Sequence, residues 1–145
     1  MEAAGSADDV AFAWLLRAAA SARLGTGRDP HREELVRHFA RASDQRYATL
    51  GRYLLGLEDE ASALASVDGP KALCEACYYI GVRAESEGAI REAARWYQRC
   101  VETNQFANGE YRWAIDRLES WVARNTSLGQ LEAEAKRGRA LAARD

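Results

Sequence analysis

The chain has 145 residues, 48% hydrophobic and 29% charged, the usual size of one soluble domain with enough apolar material for a real core. Its 20 basic and 22 acidic residues split as 9 against 11 over positions 1–73 and 11 against 11 over 74–145, so neither half is the concentrated cationic arm that nucleic-acid binding normally needs. The start, MEAAGSADDV, is acidic where a secretory signal is basic, and no stretch approaches the roughly 20 uninterrupted apolar residues of a membrane span; three cysteines, an odd number, fit a reducing cytoplasm.

Only 2 prolines, with abundant Ala, Leu, Arg and Glu and few β-branched clusters, favour helix over strand throughout. After a flexible start over 1–9, Asp8 or Asp9 is placed to cap a first helix with Val10, Trp14 and Ala18 on one face, ending near Gly25. Asp29-Pro30 opens a second, with Leu35, Val36, Phe39 and Ala40 as its buried stripe. The pattern returns after Asp44 with Tyr47, Leu50, Leu54 and Leu57, followed by a short helix through Ala61 and Leu64 and a break at Asp68-Gly69-Pro70.

A fifth helix then carries Leu73, Cys77, Ile80 and Ala84 and stops at Gly88, and a sixth carries Ile90, Ala93, Tyr97 and Cys100. Asn108 is placed to cap a seventh with Tyr111, Ala114, Leu118 and Val122, and Ser127 with Gln130 forms a potential capping box for an eighth, a weakly apolar capping helix and frayed tail over 126–145. Aligning the first helix of each pair puts Trp14, Tyr47, Cys77 and Tyr111 in register, separated by 33, 30 and 34 residues. Units of this length, none able to bury its apolar face alone, stack into a continuous core; the expected architecture is all-α, a right-handed αα-solenoid of about four hairpins over 10–125.

Residues 74–107 resemble a tetratricopeptide repeat, the helix-turn-helix whose first helix carries an aromatic, then Leu-Gly, then Tyr. Cys77, Ile80-Gly81 and Ala84 stand at those places, and Ala93, Tyr97 and Cys100 at the small, aromatic and small positions of the second helix, with Gln105 where the family has a terminal proline. The resemblance implies that Gly81 and Ala93 lie where the helices approach closely and that Tyr97 fills the space beside them. NGEYRWAIDRLESWV, from 108 to 122, is similar to the helix after the repeat in small bacterial tetratricopeptide adaptors. Residues 10–67 match by period and pattern only, as degenerate repeats. In this family the first helices line a concave groove, and the resemblance implies that Arg52, Tyr78, Val82, Arg112 and Asp116 line it here. With Tyr78 and Val82 at the first pair of the family's carboxylate clamp, that clamp is absent.

Cys74 and Cys77 lie about 5–6 Å apart on a helix, close enough to share a metal, but a structural zinc takes four ligands and no second pair has suitable spacing. No strand precedes them, as it does in a thioredoxin-like motif. The cysteines therefore read as core, with Cys74 partly exposed. His31 and His38 are seven residues apart, too far for the four-residue spacing of a helical zinc pair, and read as surface residues. The acidic runs LEDE at 57–60 and ESE at 85–87 lack the glycine turn of a calcium loop and read as solvated faces. Trp14 reads as core, while Trp96, Trp113 and Trp121 lie off the apolar stripes and are expected to be partly exposed.

No catalytic constellation and no cofactor motif is legible. The sequence is read as a non-catalytic cytoplasmic scaffold or adaptor that binds a peptide segment or helix of another protein, without nucleic acid and without membrane insertion. The alternative is a structural subunit of a larger assembly, or a homo-oligomer that stacks end to end.

Overall fold

A computed structural model describes residues 6–25, 27–43, 45–123 and 128–143. Among the described residues there are eight α-helices and no strand, an all-α protein. The chain divides into two compact units, Met1–Val67 and Asp68–Asp145. The division falls at the Asp68-Gly69-Pro70 break, within the span that the sequence pattern presents as one run of repeats.

The first unit holds α1 (Ala7–Leu24), α2 (Arg32–Arg41), α3 (Gln45–Leu54) and α4 (Glu60–Ala65). The cap of α1 is Ser6, not Asp8 or Asp9: its hydroxyl accepts the Asp9 N–H at 3.2 Å while the Asp9 carboxylate accepts the Ser6 N–H at 3.0 Å. This reciprocal box satisfies two otherwise orphaned donors, so the helix starts inside the segment expected to be loose. The buried face is Leu15, Ala18, Ala19 and Ser21, rotated from the expected stripe, and Val10 is 53% exposed.

Pro30 does not open α2. The Asp29 carboxylate accepts the His31 N–H at 2.9 Å, which makes a turn of Asp29-Pro30 and delays the helix by two residues. Hydrogen bonds from the Ser21 side chain and then the His31 backbone hold the Asp29 carboxyl below its ordinary value. Leu35 and Phe39 are the buried residues of α2, while Ala40 is exposed.

Helix α3 is the centre of this unit and packs against α1, α2 and α4. It buries Tyr47, Ala48, Leu50, Tyr53 and Leu54, and Gly51 lies directly under the Phe39 ring, where a Cβ could not fit. Leu57 falls beyond the helix end and is exposed. Asp59 caps α4 by accepting the Ser62 N–H at 2.8 Å.

The second unit holds α5 (Gly69–Ser86), α6 (Ile90–Glu102), α7 (Gly109–Ala123) and α8 (Leu128–Ala142). Helix α5 ends where Gly88 takes φ +80°, a left-handed conformation that suits glycine, and the Ala89 N–H turns back to the Ala84 carbonyl at 2.9 Å. Helix α6 lies antiparallel on α5 with Ile90, Ala93, Ala94, Trp96, Tyr97 and Cys100 buried.

Helix α7 packs against both members of this hairpin through Glu110, Ala114 and Trp121, and not through Val122, which is 79% exposed. Helix α8 packs against α6: Leu131 is buried and Glu132 accepts the Arg91 N–H at 2.9 Å. The expected Ser127 cap lies outside the described residues.

Candidate functional site

Helix α5 carries the segment that raised the question of chemistry, and it is buried on nearly every side, with Ala72, all of 74–82 and Ala84 excluded from solvent. A helix apolar around most of its circumference belongs inside a domain. Tyr78 and Val82 are therefore core residues, which corrects the expectation that they are accessible. The Tyr78 ring packs on Tyr79 at 5.1 Å, Tyr97 at 5.7 Å and Trp113 at 5.6 Å.

Arg52, in the first unit, spans local structure: it donates to the Phe39 carbonyl at 2.9 Å and pairs with Glu58 at 2.6 Å, tying the end of α2 to the α3–α4 loop. Arg112 and Asp116 are exposed, one turn apart on α7. Of the five expected groove residues, these two share a solvent-facing surface.

The repeat positions Cys77, Ile80, Gly81, Ala93, Tyr97 and Cys100 are all buried. A Cβ on Gly81 would come within 2.6 Å of the Tyr97 ring, so the two helices cross at a distance only glycine permits. The Tyr97 hydroxyl donates to Glu85 at 2.8 Å, and Arg117 of α7 grips the same carboxylate. The acidic run at 85–87 is thus paired, Glu85 with Arg117 and Glu87 with Arg83. Sequence reasoning missed this clamp between α5, α6 and α7 because it depends on three helices meeting.

The tryptophans are redistributed as well. Trp96 and Trp121 are buried, with Arg99 over the Trp96 ring and Tyr97 beside Trp121. Trp14 is half-buried, stacked on His38 at 3.9 Å with Arg17 over its ring at 4.2 Å. His38 is thereby part of the packing; burial first, and then Arg17, hold it below its ordinary value. Trp113, 36% exposed, presents its ring on the surface of α7, and Phe106 in the preceding turn is 72% exposed against Tyr111. Phe106 went unnoticed in the sequence because it lies in a turn, outside any periodic stripe.

A buried carboxylate sits beneath this surface. Glu110 accepts the Tyr79 hydroxyl at 3.0 Å, and burial followed by the Glu110 charge pushes the Tyr79 phenol above its ordinary range, so it stays a donor. Removing that hydroxyl in Tyr79→Phe leaves the acid without this bond. Tyr79→Phe is expected to cost about 1–3 kcal/mol in urea denaturation, with Tyr111→Phe, half-buried, close to neutral.

All three cysteines are fully buried, Cys74 included. Burial raises the Cys77 thiol to about 11. Cys77 is expected to react with a maleimide in the folded protein far more slowly than in urea, because the attacking thiolate is scarce and hidden. Rapid native labelling, located by peptide mass, would show the α5 packing to be wrong. Among the described residues, no group of three His, Cys, Asp or Glu side chains is placed to hold a metal ion, and no helix is long and apolar enough to cross a membrane.

The described residues thus define an all-α protein of two helical units, with an exposed aromatic and charged surface on α7. The chain matches no protein-family model, no curated protein and no solved structure.

Proposed function

We propose that this protein is a non-catalytic cytoplasmic adaptor with a tetratricopeptide-like αα-solenoid scaffold, and that the surface of α7 binds a segment of another protein. The observation that carries the reading is exposed Trp113 beside exposed Arg112 and Asp116 on α7, a helix held by two others, with exposed Phe106 in the turn that leads into it. Aromatic anchors on a rigid element, flanked by charges of both signs, suit an apolar side chain with polar neighbours on a partner segment. The repeat reading is supported by the Gly81–Tyr97 crossing and by α7 packing against both helices of the hairpin before it, as the next unit of an array does.

Affinity purification from the native cell followed by mass spectrometry identifies the partner. Trp113→Ala and Arg112→Ala are then expected to weaken its binding, the tryptophan by about 2 kcal/mol, or some thirtyfold in Kd; Arg112→Ala leaves the melting temperature little changed, whereas Trp113→Ala also lowers it because the ring packs on Tyr78. Lys136→Ala, exposed on α8, serves as the control. Tyr78→Ala lowers stability and so cannot report on binding. If the two α7 variants bind the purified partner as tightly as wild type, this surface is not the binding site.

A further inference from the structure

Cys74 near the start of α5 and Cys100 near the end of α6 are 26 residues apart in sequence, yet their sulfurs lie 3.3 Å apart, closer than an ordinary non-bonded sulfur contact. Both are fully buried, and a disulfide at about 2.0 Å needs only a small closure of the two side chains. We propose that Cys74 and Cys100 are a disulfide-forming pair, oxidised by hydrogen peroxide to a covalent staple between α5 and α6, with Cys77 left as a spectator thiol. The inference stands on this geometry and does not rest on the adaptor reading.

The surroundings single out Cys74 as the attacking sulfur. Its thiolate is favoured first by the hydrogen bond from Cys100, against burial, and further by Thr103 in the α6–α7 turn, with the Glu110 charge opposing; the Asn108 Nδ2 in the same turn is buried with no hydrogen-bond partner among the described residues. Cys100 is shifted the opposite way, first by the same bond and then by burial. Cys77, raised by burial, stays a thiol.

The reaction balances in two steps. The Cys74 thiolate attacks one peroxide oxygen; the S–O bond forms, the O–O bond breaks, and the departing hydroxide takes a proton to become water. Cys100 then gives up its proton and attacks the Cys74 sulfenic sulfur; the S–S bond forms, the S–O bond breaks, and the released hydroxide leaves as a second water. Two thiols lose two electrons and two protons, and one peroxide is reduced to two waters. The Cys100 sulfur also lies 3.7 Å from the Glu110 carbonyl, an alternative acceptor for its single proton, and oxidation removes that proton from both.

The test treats the purified full chain with hydrogen peroxide, alkylates remaining thiols in denaturant and maps tryptic peptides without reductant. The expected result is a link between peptides 72–83 and 100–112, with fragmentation placing it at Cys74 and the alkyl group at Cys77. The intact mass before alkylation falls by about 2 Da, and the melting temperature rises by several degrees until dithiothreitol reverses it. The link persists in Cys77→Ala and is lost in Cys74→Ala and Cys100→Ala. Should an alanine variant fail to fold, the wild-type fragmentation still locates the bond. Three alkylated cysteines after peroxide, a Cys74–Cys77 link, covalent dimers, or a Cys74–Cys100 link that lowers the melting temperature would each overturn the proposal.

Discussion

Gly81→Leu is expected to destabilise the second unit by about 3 kcal/mol or more, the upper end of what overpacking costs, because the obstacle cannot move away. A Cβ there would lie 2.6 Å from Tyr97 Cε1 and 2.8 Å from Cδ1. That ring is fully buried, its hydroxyl is bound to Glu85, and Tyr78 and Trp121 flank it with centroids at 5.7 and 5.8 Å. The sign of Gly81→Ala makes the test sharper. At an open helical site, alanine for glycine stabilises by about 0.5–1 kcal/mol, and this is the expectation for Gly138 in α8, where an added Cβ meets nothing within 4 Å. At Gly81 the same change is expected to destabilise. Urea denaturation followed by tryptophan fluorescence reads both, since three of the four tryptophans lie in this unit. A Gly81→Leu protein that unfolds at the wild-type midpoint would rule out the α5–α6 crossing.

Phe39→Ala is expected to cost the first unit about 3–5 kcal/mol, the usual penalty for emptying a buried aromatic site. Phe39 is fully buried, covers Gly51 and meets the edge of His38 at 5.0 Å. Gly51→Leu alone is also expected to destabilise, since the Phe39 ring occupies the space its side chain needs. The double variant is expected to lose less than the two single losses combined, because the leucine grows into the vacated volume. Additive losses would mean that the two residues do not share that space. Fluorescence of Trp14, stacked on the adjacent His38, reports on this unit.

Both glycines sit inside helices, where the residue type is unfavourable on its own, but only Gly81 fell within a recognisable pattern. Its spacing to Ala93 and Tyr97 repeats that of a known helical hairpin, and the close crossing is where that pattern implies. Gly51 has no such neighbours in sequence, so its contact with Phe39 had no local signal. The candidate surface was legible in part: Arg112 and Asp116 face solvent as expected, whereas Tyr78 and Val82 belong to the core and Arg52 binds its own unit. The Cys74–Cys100 contact was accessible in principle, since an antiparallel hairpin brings the start of α5 beside the end of α6. The pairing that spacing along one helix makes visible is instead Cys74 with Cys77, three residues apart.

The sequence by itself determined that the described residues are helical, that they form eight helices, and where these break, at Gly25, at Asp68-Gly69-Pro70 and at Gly88. These follow from local causes: propensity, capping side chains and glycine in turns. Only the tertiary structure decided which faces are covered. Periodicity marks the apolar side of a helix, but α5 has small or apolar residues at nearly every angle, and its burial depends on how many helices surround it. The same dependence buried Trp96 and Trp121 and left Trp113 at the surface, since a tryptophan's exposure is set by the neighbours that close over it and not by its own position in the heptad.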